Sequence, residues 1–257
     1  MGVWIIFALV VLLLAGGALL FVRGRVPWKN SWFQIAFFAL LVSGALLVVD
    51  IVQENAREGP SQPNADSAEN ENALGMLSVG RRDYAQAMQC FQRAATQGSA
   101  AAENNIGGLY QNGWGVPQDY AAAMQWYQKA AAQGYAEAEN NVGWFYQNGL
   151  GLPKDFAAAM NWYQKSAAQG DMNAENNIGT SYYAGIGVRR DYAEAMPWFQ
   201  KSAAQGNANA EYNIGWLYEN GLGVKKNTAE AITWYQKAAA QGYDSAKQEL
   251  AKLQPGG

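Results

Sequence analysis

Residues 137–170 set the terms for the rest of the chain, because nearly the same run of residues returns when the register is moved 36 positions either way. Asn105, Asn141, Asn177 and Asn213 are in step, as are Gly107, Gly143, Gly179 and Gly215. So are Trp126, Trp162, Trp198 and Trp234, and then Gly134, Gly170, Gly206 and Gly242. A fixed period of roughly 20–50 residues is the mark of a stacked array, in which each unit covers the apolar face of the next.

One unit reads as two helices. Ala138, Val142, Phe145 and Tyr146 recur at helical spacing and give the first helix one apolar stripe. Gly149 is placed to end it, since glycine enters the left-handed conformation at little steric cost. After a short Gly-Leu-Gly-Leu-Pro-Lys loop, Asp155 is positioned to cap the second helix by accepting its unpaired first-turn N–H groups. That helix carries Phe156, Ala159, Met160, Trp162 and Tyr163, and stops at Gly170. We expect the recurring tryptophan, Trp162 in this copy, to be a core residue. Lys165 sits toward the C-terminal end, where the helix dipole favours a cation. Gly143, Ala159 and Ala167 are small enough to let the helices approach closely.

The recurring pattern Ala-x-x-Asn-(Ile/Val)-Gly-x-x-Tyr-x-x-Gly-x-Gly-(Val/Leu), followed by Asp-(Tyr/Phe)-x-x-Ala-x-x-Trp-(Tyr/Phe)-x-Lys-x-Ala-x-Gln-Gly, resembles the Sel-one-like repeat, a relative of the tetratricopeptide repeat. Full copies fall at 101–136, 137–172, 173–208 and 209–244, the last with Lys226-Asn227-Thr228 in place of the usual Asp-Tyr. Residues 67–100 form a shortened capping repeat: Gly75 to Asp83 is 8 residues where Gly107 to Asp119 is 12, so four loop residues are missing. Asp66 and Glu69 have capping-box spacing for its first helix. Residues 245–254 match a first helix alone and read as a solvated closing helix. Pro197, inside a second helix, removes one backbone bond and should bend it locally. The expected fold is an all-α solenoid of paired helices spanning 66–254, and the resemblance implies a right-handed superhelix.

The resemblance also implies that first helices line a concave groove. Counted from the glycine of each first helix, the facing offsets would be -3, +1 and +4. They select Asn104, Gly108 and Gln111, then Asn140, Trp144 and Gln147, then Asn176, Thr180 and Tyr183, then Tyr212, Trp216 and Glu219. Amide side chains can donate to and accept from an extended peptide backbone, and exposed Trp and Tyr are typical binding hot spots. The asparagines that recur in every full copy (Asn105, Asn141, Asn177, Asn213) read instead as pins on a loop or neighbouring helix. The variable positions Trp144, Thr180 and Trp216 are the better ligand candidates. We read the recurring Glu103, Glu139, Glu175 and Glu211 as solvated or paired to neighbouring repeats.

Composition narrows the chemistry. The 257 residues carry a net charge of -3 with no basic face, which argues against nucleic acid as a partner. There is no histidine and one cysteine, Cys90, next to Phe91 in an apolar stripe. That pattern speaks against zinc, haem, Cys–His catalysis and internal disulfides, and Cys90 reads as a small buried hydrophobe. The Gly-x-Gly-(Val/Leu) loop follows no strand and carries no P-loop lysine, so it does not read as a phosphate cradle. No cofactor or metal site is expected.

The first 52 residues differ in kind. Gly2–Val22 and Trp32–Val49 contain no charged side chain, and each is close to the roughly 20 residues that cross a bilayer core as a helix. Arg23, Arg25 and Lys29 all lie in the loop between them. The positive-inside rule then places the loop at 23–31 in the cytoplasm and both termini outside. A cleaved signal peptide is the competing reading, but the first stretch lacks a basic start. We therefore expect a transmembrane hairpin over 1–52, spanning at 2–22 and 32–52, and a polar linker over 53–65 that ends in Pro60 and Pro63. At roughly 5–6 Å × √n, so short a tether keeps the solenoid near the membrane.

Together these features describe a bacterial inner-membrane protein whose periplasmic repeats bind a protein or peptide as adaptor, scaffold or regulator, without catalysis. Recognition of peptidoglycan or another glycan by the Trp- and Asn-lined groove is the alternative. Cysteine-rich members of the resembled family are associated with β-lactam hydrolysis. This chain lacks their cysteine pairs and has no Ser-x-x-Lys in its repeats.

Overall fold

The structure is a computed structural model and describes residues 67–254. The hairpin expected at 1–52, the linker at 53–65 and Asp66 lie outside the described residues. Among the described residues no helix is long and apolar enough to cross a membrane.

The described residues form eleven α-helices and no strand. They alternate as first and second helices of successive hairpins. These are α1 (Ala68–Gly80) with α2 (Tyr84–Thr96), α3 (Ala100–Asn112) with α4 (Tyr120–Ala132), and α5 (Ala136–Asn148) with α6 (Phe156–Ala168). Then come α7 (Met172–Ala184) with α8 (Tyr192–Ala204), α9 (Ala208–Asn220) with α10 (Thr228–Ala240), and a closing α11 (Asp244–Leu253). The closest packing runs between helices consecutive in the chain, as in a one-dimensional stack.

Each hairpin closes on a ring laid over a glycine. Tyr127, Tyr163, Phe199 and Tyr235 are buried and lie against Gly107, Gly143, Gly179 and Gly215. A Cβ on any of these glycines would come within 2.7–2.8 Å of the ring, so the recurring glycine is what lets the aromatic side chain lie on helix backbone. Trp162 is a correction to the expected core: it is half-buried, and the fully buried aromatic of that helix is Tyr163. Trp162 packs at the edge of the core cluster of α4 and α5, and Lys165 Nζ lies 4.1 Å from its ring centroid on the outer side.

The caps follow the sequence. Asp119, Asp155 and Asp191 accept first-turn N–H groups of α4, α6 and α8, and Asn227 does so for α10, which explains the tolerated Lys226-Asn227-Thr228 variation. Gly149 ends α5 at φ 68°. At the first helix Ser67 caps α1, its hydroxyl accepting from the Asn70 N–H at 3.3 Å. A serine hydroxyl adjacent to the first helical residue reaches that donor directly. α8 runs without interruption from Tyr192 to Ala204 with Pro197 inside it.

The second loop glycine explains the four extra residues. Gly115, Gly151 and Gly187 lie against Tyr84, Tyr120 and Phe156, the opening residues of the preceding repeat's second helix, and Gly223 lies against Tyr192. The loop is thus a dock onto the repeat before it. The capping repeat, first of the described array, turns tightly through Arg81 and Arg82 instead. On α1, Leu74 and Leu77 are 47% and 59% exposed, whereas Ile106 and Leu109 at the same register in α3 are buried under α2.

Candidate surface on the first helices

The two asparagine columns join to each other. Asn141 Nδ2 donates to Asn104 Oδ1 at 2.9 Å, Asn177 to Asn140 at 2.9 Å, and Asn213 to Asn176 at 3.3 Å. Asn105 does the same to Asn72 at 2.8 Å. The recurring asparagine therefore pins the neighbouring repeat's first helix, as expected, and the pin's other end is the residue expected to face the groove. Asn104 and Asn140 are buried, with their carbonyl oxygens taken up by this ladder. The correction is physical: a buried amide needs a partner, and the next repeat supplies it. Tyr212 holds that register where the ladder stops, and packs on Tyr235 and Tyr243 at ring separations of 5.4 and 5.1 Å.

The +4 residues are also tied to the hairpin beneath them. The hydroxyls of Tyr127, Tyr163 and Tyr235 donate to Gln111, Gln147 and Glu219 at 2.6, 3.2 and 2.6 Å. Burial holds all three phenols well above the usual tyrosine range. Where the ring is Phe199, without a hydroxyl, the +4 residue is Tyr183 and no acceptor is required.

The recurring glutamates correct the sequence reading as well. Glu103, Glu139, Glu175 and Glu211 are buried, and each accepts from the glutamine thirty residues on, in its own hairpin: Gln133, Gln169, Gln205 and Gln241, at 2.7–2.8 Å. Lys129 adds an ion pair to Glu103 at 2.9 Å. Desolvation holds Glu175 above the ordinary carboxylate range, opposed by its bond from Gln205. In the capping repeat the place is filled by Glu71 and Arg93, doubly hydrogen-bonded at 2.7 and 2.8 Å. Arg93 also reaches Cys90 Sγ at 3.3 Å. Cys90 is buried and burial pushes its thiol up.

What stands outward is the +1 column. Trp144 is 37% exposed, its ring edge-on to Phe145 at 5.8 Å. Thr180 and Trp216 are half-buried, and Trp216 packs edge-on against Tyr183 at 5.3 Å. In α3 the same place is Gly108, where the missing side chain leaves a cavity of about 280 Å3 lined by Met76, Asn104, Gln111, Trp114, Glu137 and Asn141 among others. The surface thus runs from a hollow at Gly108 past an upright Trp144 to a braced Trp216. Among the described residues no group of three or more Asp, Glu or Cys is arranged to hold a metal ion.

Comparison with known proteins agrees with the repeat fold. The Sel1 repeat family model matches residues 72–99, 100–135, 136–171, 173–207 and 208–243. The chain is similar to a crystal structure of a Sel1 repeat protein from Oxalobacter formigenes, 37% identical over 74% of each chain with a TM-score of 0.64. It is also similar to a protective antigen of uropathogenic Escherichia coli strains that displays an SLR fold, at 36% identity and a TM-score of 0.64. That match covers 79% of this chain and 43% of the antigen, so the chain spans less than half the antigen's length. An immunity protein from Pseudomonas aeruginosa is 24% identical over 70% of this chain and 67% of its own, with a TM-score of 0.52, and shares the fold. No curated protein matches the sequence.

Proposed function

Because this chain belongs to the Sel1 repeat family, whose proteins are generally scaffolds for protein–protein interaction, we propose that its repeats bind another protein along the first-helix face. The observation that carries the reading is the +1 column. Its neighbours in each helix are spent on the ladder, the tyrosine hydroxyls or the core, while Trp144 presents a large apolar ring to solvent. A rigid exposed aromatic at a position that varies between copies is what a recognition residue requires. The role is non-enzymatic in this reading, since the recurring carboxylates are held by amide partners inside the hairpins.

The setting we propose is the bacterial cell envelope, with residues 2–22 and 32–52 anchoring the chain in the inner membrane and both termini in the periplasm. Its support is the pair of charge-free stretches around the Arg23–Arg25–Lys29 loop. Reporter fusions at Gly257 test it: a periplasmic phosphatase should be active there, and activity only of a cytoplasmic reporter would overturn the topology.

The binding role is tested by placing a photo-crosslinking residue at position 144 of the full chain in intact membranes, with position 162 as the outer-face control. Capture of a protein from 144 and not from 162 is expected. Capture of a glycan strand, or equal capture from both positions, would sink the reading of this face as a protein-binding surface.

A further inference from the structure

Among the described residues, the tryptophans that lie on helices fall into two classes by what lies on their rings. On the second helices, Trp126, Trp162, Trp198 and Trp234 each carry the ammonium of the lysine three residues on, at 5.0, 4.1, 4.5 and 3.8 Å from the centroid. On the first helices, Trp144 and Trp216 have Gln147 and Glu219 at that spacing, and no cation of the described residues lies over either ring. An aromatic face attracts cations electrostatically. The outer rings meet that demand within their own helix; the inner rings do not.

Charge is segregated in the same sense. α1, α3, α5, α7 and α9 contain eight glutamates and not one Lys or Arg, whereas each of the five second helices carries a cation in its last turn. Five of those glutamates are buried and paired inside hairpins. Glu219 is half-buried beside Trp216. One of its oxygens accepts from Tyr235, and the other takes no hydrogen bond among the described residues. That face combines aromatic rings that carry no cation with a carboxylate, Glu219, and among the described residues the one ammonium in its electrostatic reach, Lys252, is held by Glu249.

We propose that the partner supplies the cation: the first-helix face takes an extended segment carrying Lys or Arg, with one cation seated on Trp216 against Glu219 and the chain continuing past Trp144. The proposal rests on the reading of this face as the binding surface. Complementary charge of this kind steers association and selects partners.

The test selects peptides from a displayed random library on the full-length chain purified in detergent, then measures one selected peptide, fluorescently labelled, against variants. Glu219→Gln keeps an acceptor for the Tyr235 hydroxyl, as Gln111 and Gln147 do for theirs, so it leaves the hairpin closed. Selected peptides should be rich in Lys and Arg, should bind roughly three- to tenfold more weakly to Glu219→Gln, and more tightly to Gln147→Glu. Affinity should also fall as salt is raised. Acidic or uncharged selections, or basic peptides indifferent to both substitutions, would overturn the proposal. If such non-basic peptides still lose binding in Trp144→Ala, the face remains the binding surface and only its charge preference is wrong. If no selected peptide depends on Trp144, both fall together.

Discussion

The ring of Tyr163 lies on the backbone of Gly143: a Cβ built on that glycine would stand 2.8 Å from two ring carbons and 3.1 Å from the Ala159 carbonyl oxygen. The ring could turn away only by leaving the core, and the carbonyl belongs to a helix. Gly143→Ala should therefore destabilise by about 1–3 kcal/mol, the usual cost of overpacking. Gly108, one position past the matching glycine in the repeat before, meets nothing closer than the Tyr127 hydroxyl at 3.8 Å. Gly108→Ala should stabilise by about 0.5–1 kcal/mol through helix propensity alone. Denaturant melts of the two variants check the contrast, and equal effects would mean the ring contact is not limiting.

Adjacent aromatics on one helix should also part company. Tyr163 is fully buried, and Tyr163→Ala should cost about 3–5 kcal/mol. Trp162 is half-buried with Lys165 on its ring, so Trp162→Ala should cost only about 1–2 kcal/mol. Tyr163→Phe loses one hydrogen bond, to Gln147, and about 0.5–1.5 kcal/mol. Phe199 at the same register shows that the fold accepts the ring without its hydroxyl. Thermal melts of the three variants give the order directly.

That pair marks where sequence reading stops. Period, helix number, the Asp155 cap and the Gly149 terminus are local properties, and all were legible. Trp162 and Tyr163 recur with equal regularity, and recurrence reports a shared environment, not burial. Only the facing glycine tells which ring lies inward. Likewise, an offset from Gly107 tells which way Asn104 points but not that Asn141, from the next repeat, meets it. The glutamates were misread because their partners are neutral glutamines thirty residues away, and a neutral partner leaves no charge pattern. The column at Gly108, Trp144, Thr180 and Trp216 stood out in the sequence because it varies between copies.

The Asn104–Asn141 bond should behave as a coupling between repeats. Both side chains lose their partner when either is replaced, and Asn104 is buried, so each single change to Ala should cost about 1–3 kcal/mol. The double variant should cost less than the sum, with a coupling of about 0.5–1.5 kcal/mol. Additive effects in this double-mutant cycle would mean the ladder contributes nothing beyond packing.

Arg93 gives the capping repeat a pH dependence. Its two hydrogen bonds hold Glu71 below the ordinary carboxylate value, outweighing the opposing effect of burial. A depressed acid adds stability above its unfolded pKa, and that stability is lost as pH falls through the folded value. Arg93→Ala should thus open the widest gap in melting temperature near neutrality, and the gap should close as pH drops below about 4. A gap constant with pH would assign Arg93 a packing role for its aliphatic stem, with no electrostatic share.

Trp144 and Trp216 occupy one register but are held differently, so their alanine variants should separate stability from recognition. Trp144 is 37% exposed and its ring meets Phe145 edge-on, so Trp144→Ala should change stability by about 1 kcal/mol or less. Trp216 braces Tyr183 and packs against the buried clusters of two successive hairpins, so Trp216→Ala should cost about 1–2 kcal/mol. At a binding hot spot the same truncation removes roughly 2 kcal/mol or more of affinity. Melting curves beside capture of the partner crosslinked from position 144 decide the matter. Trp144→Ala should melt normally and lose the partner. If it melts normally and retains it, the ring is an ordinary exposed apolar residue and the interaction surface lies elsewhere on the array.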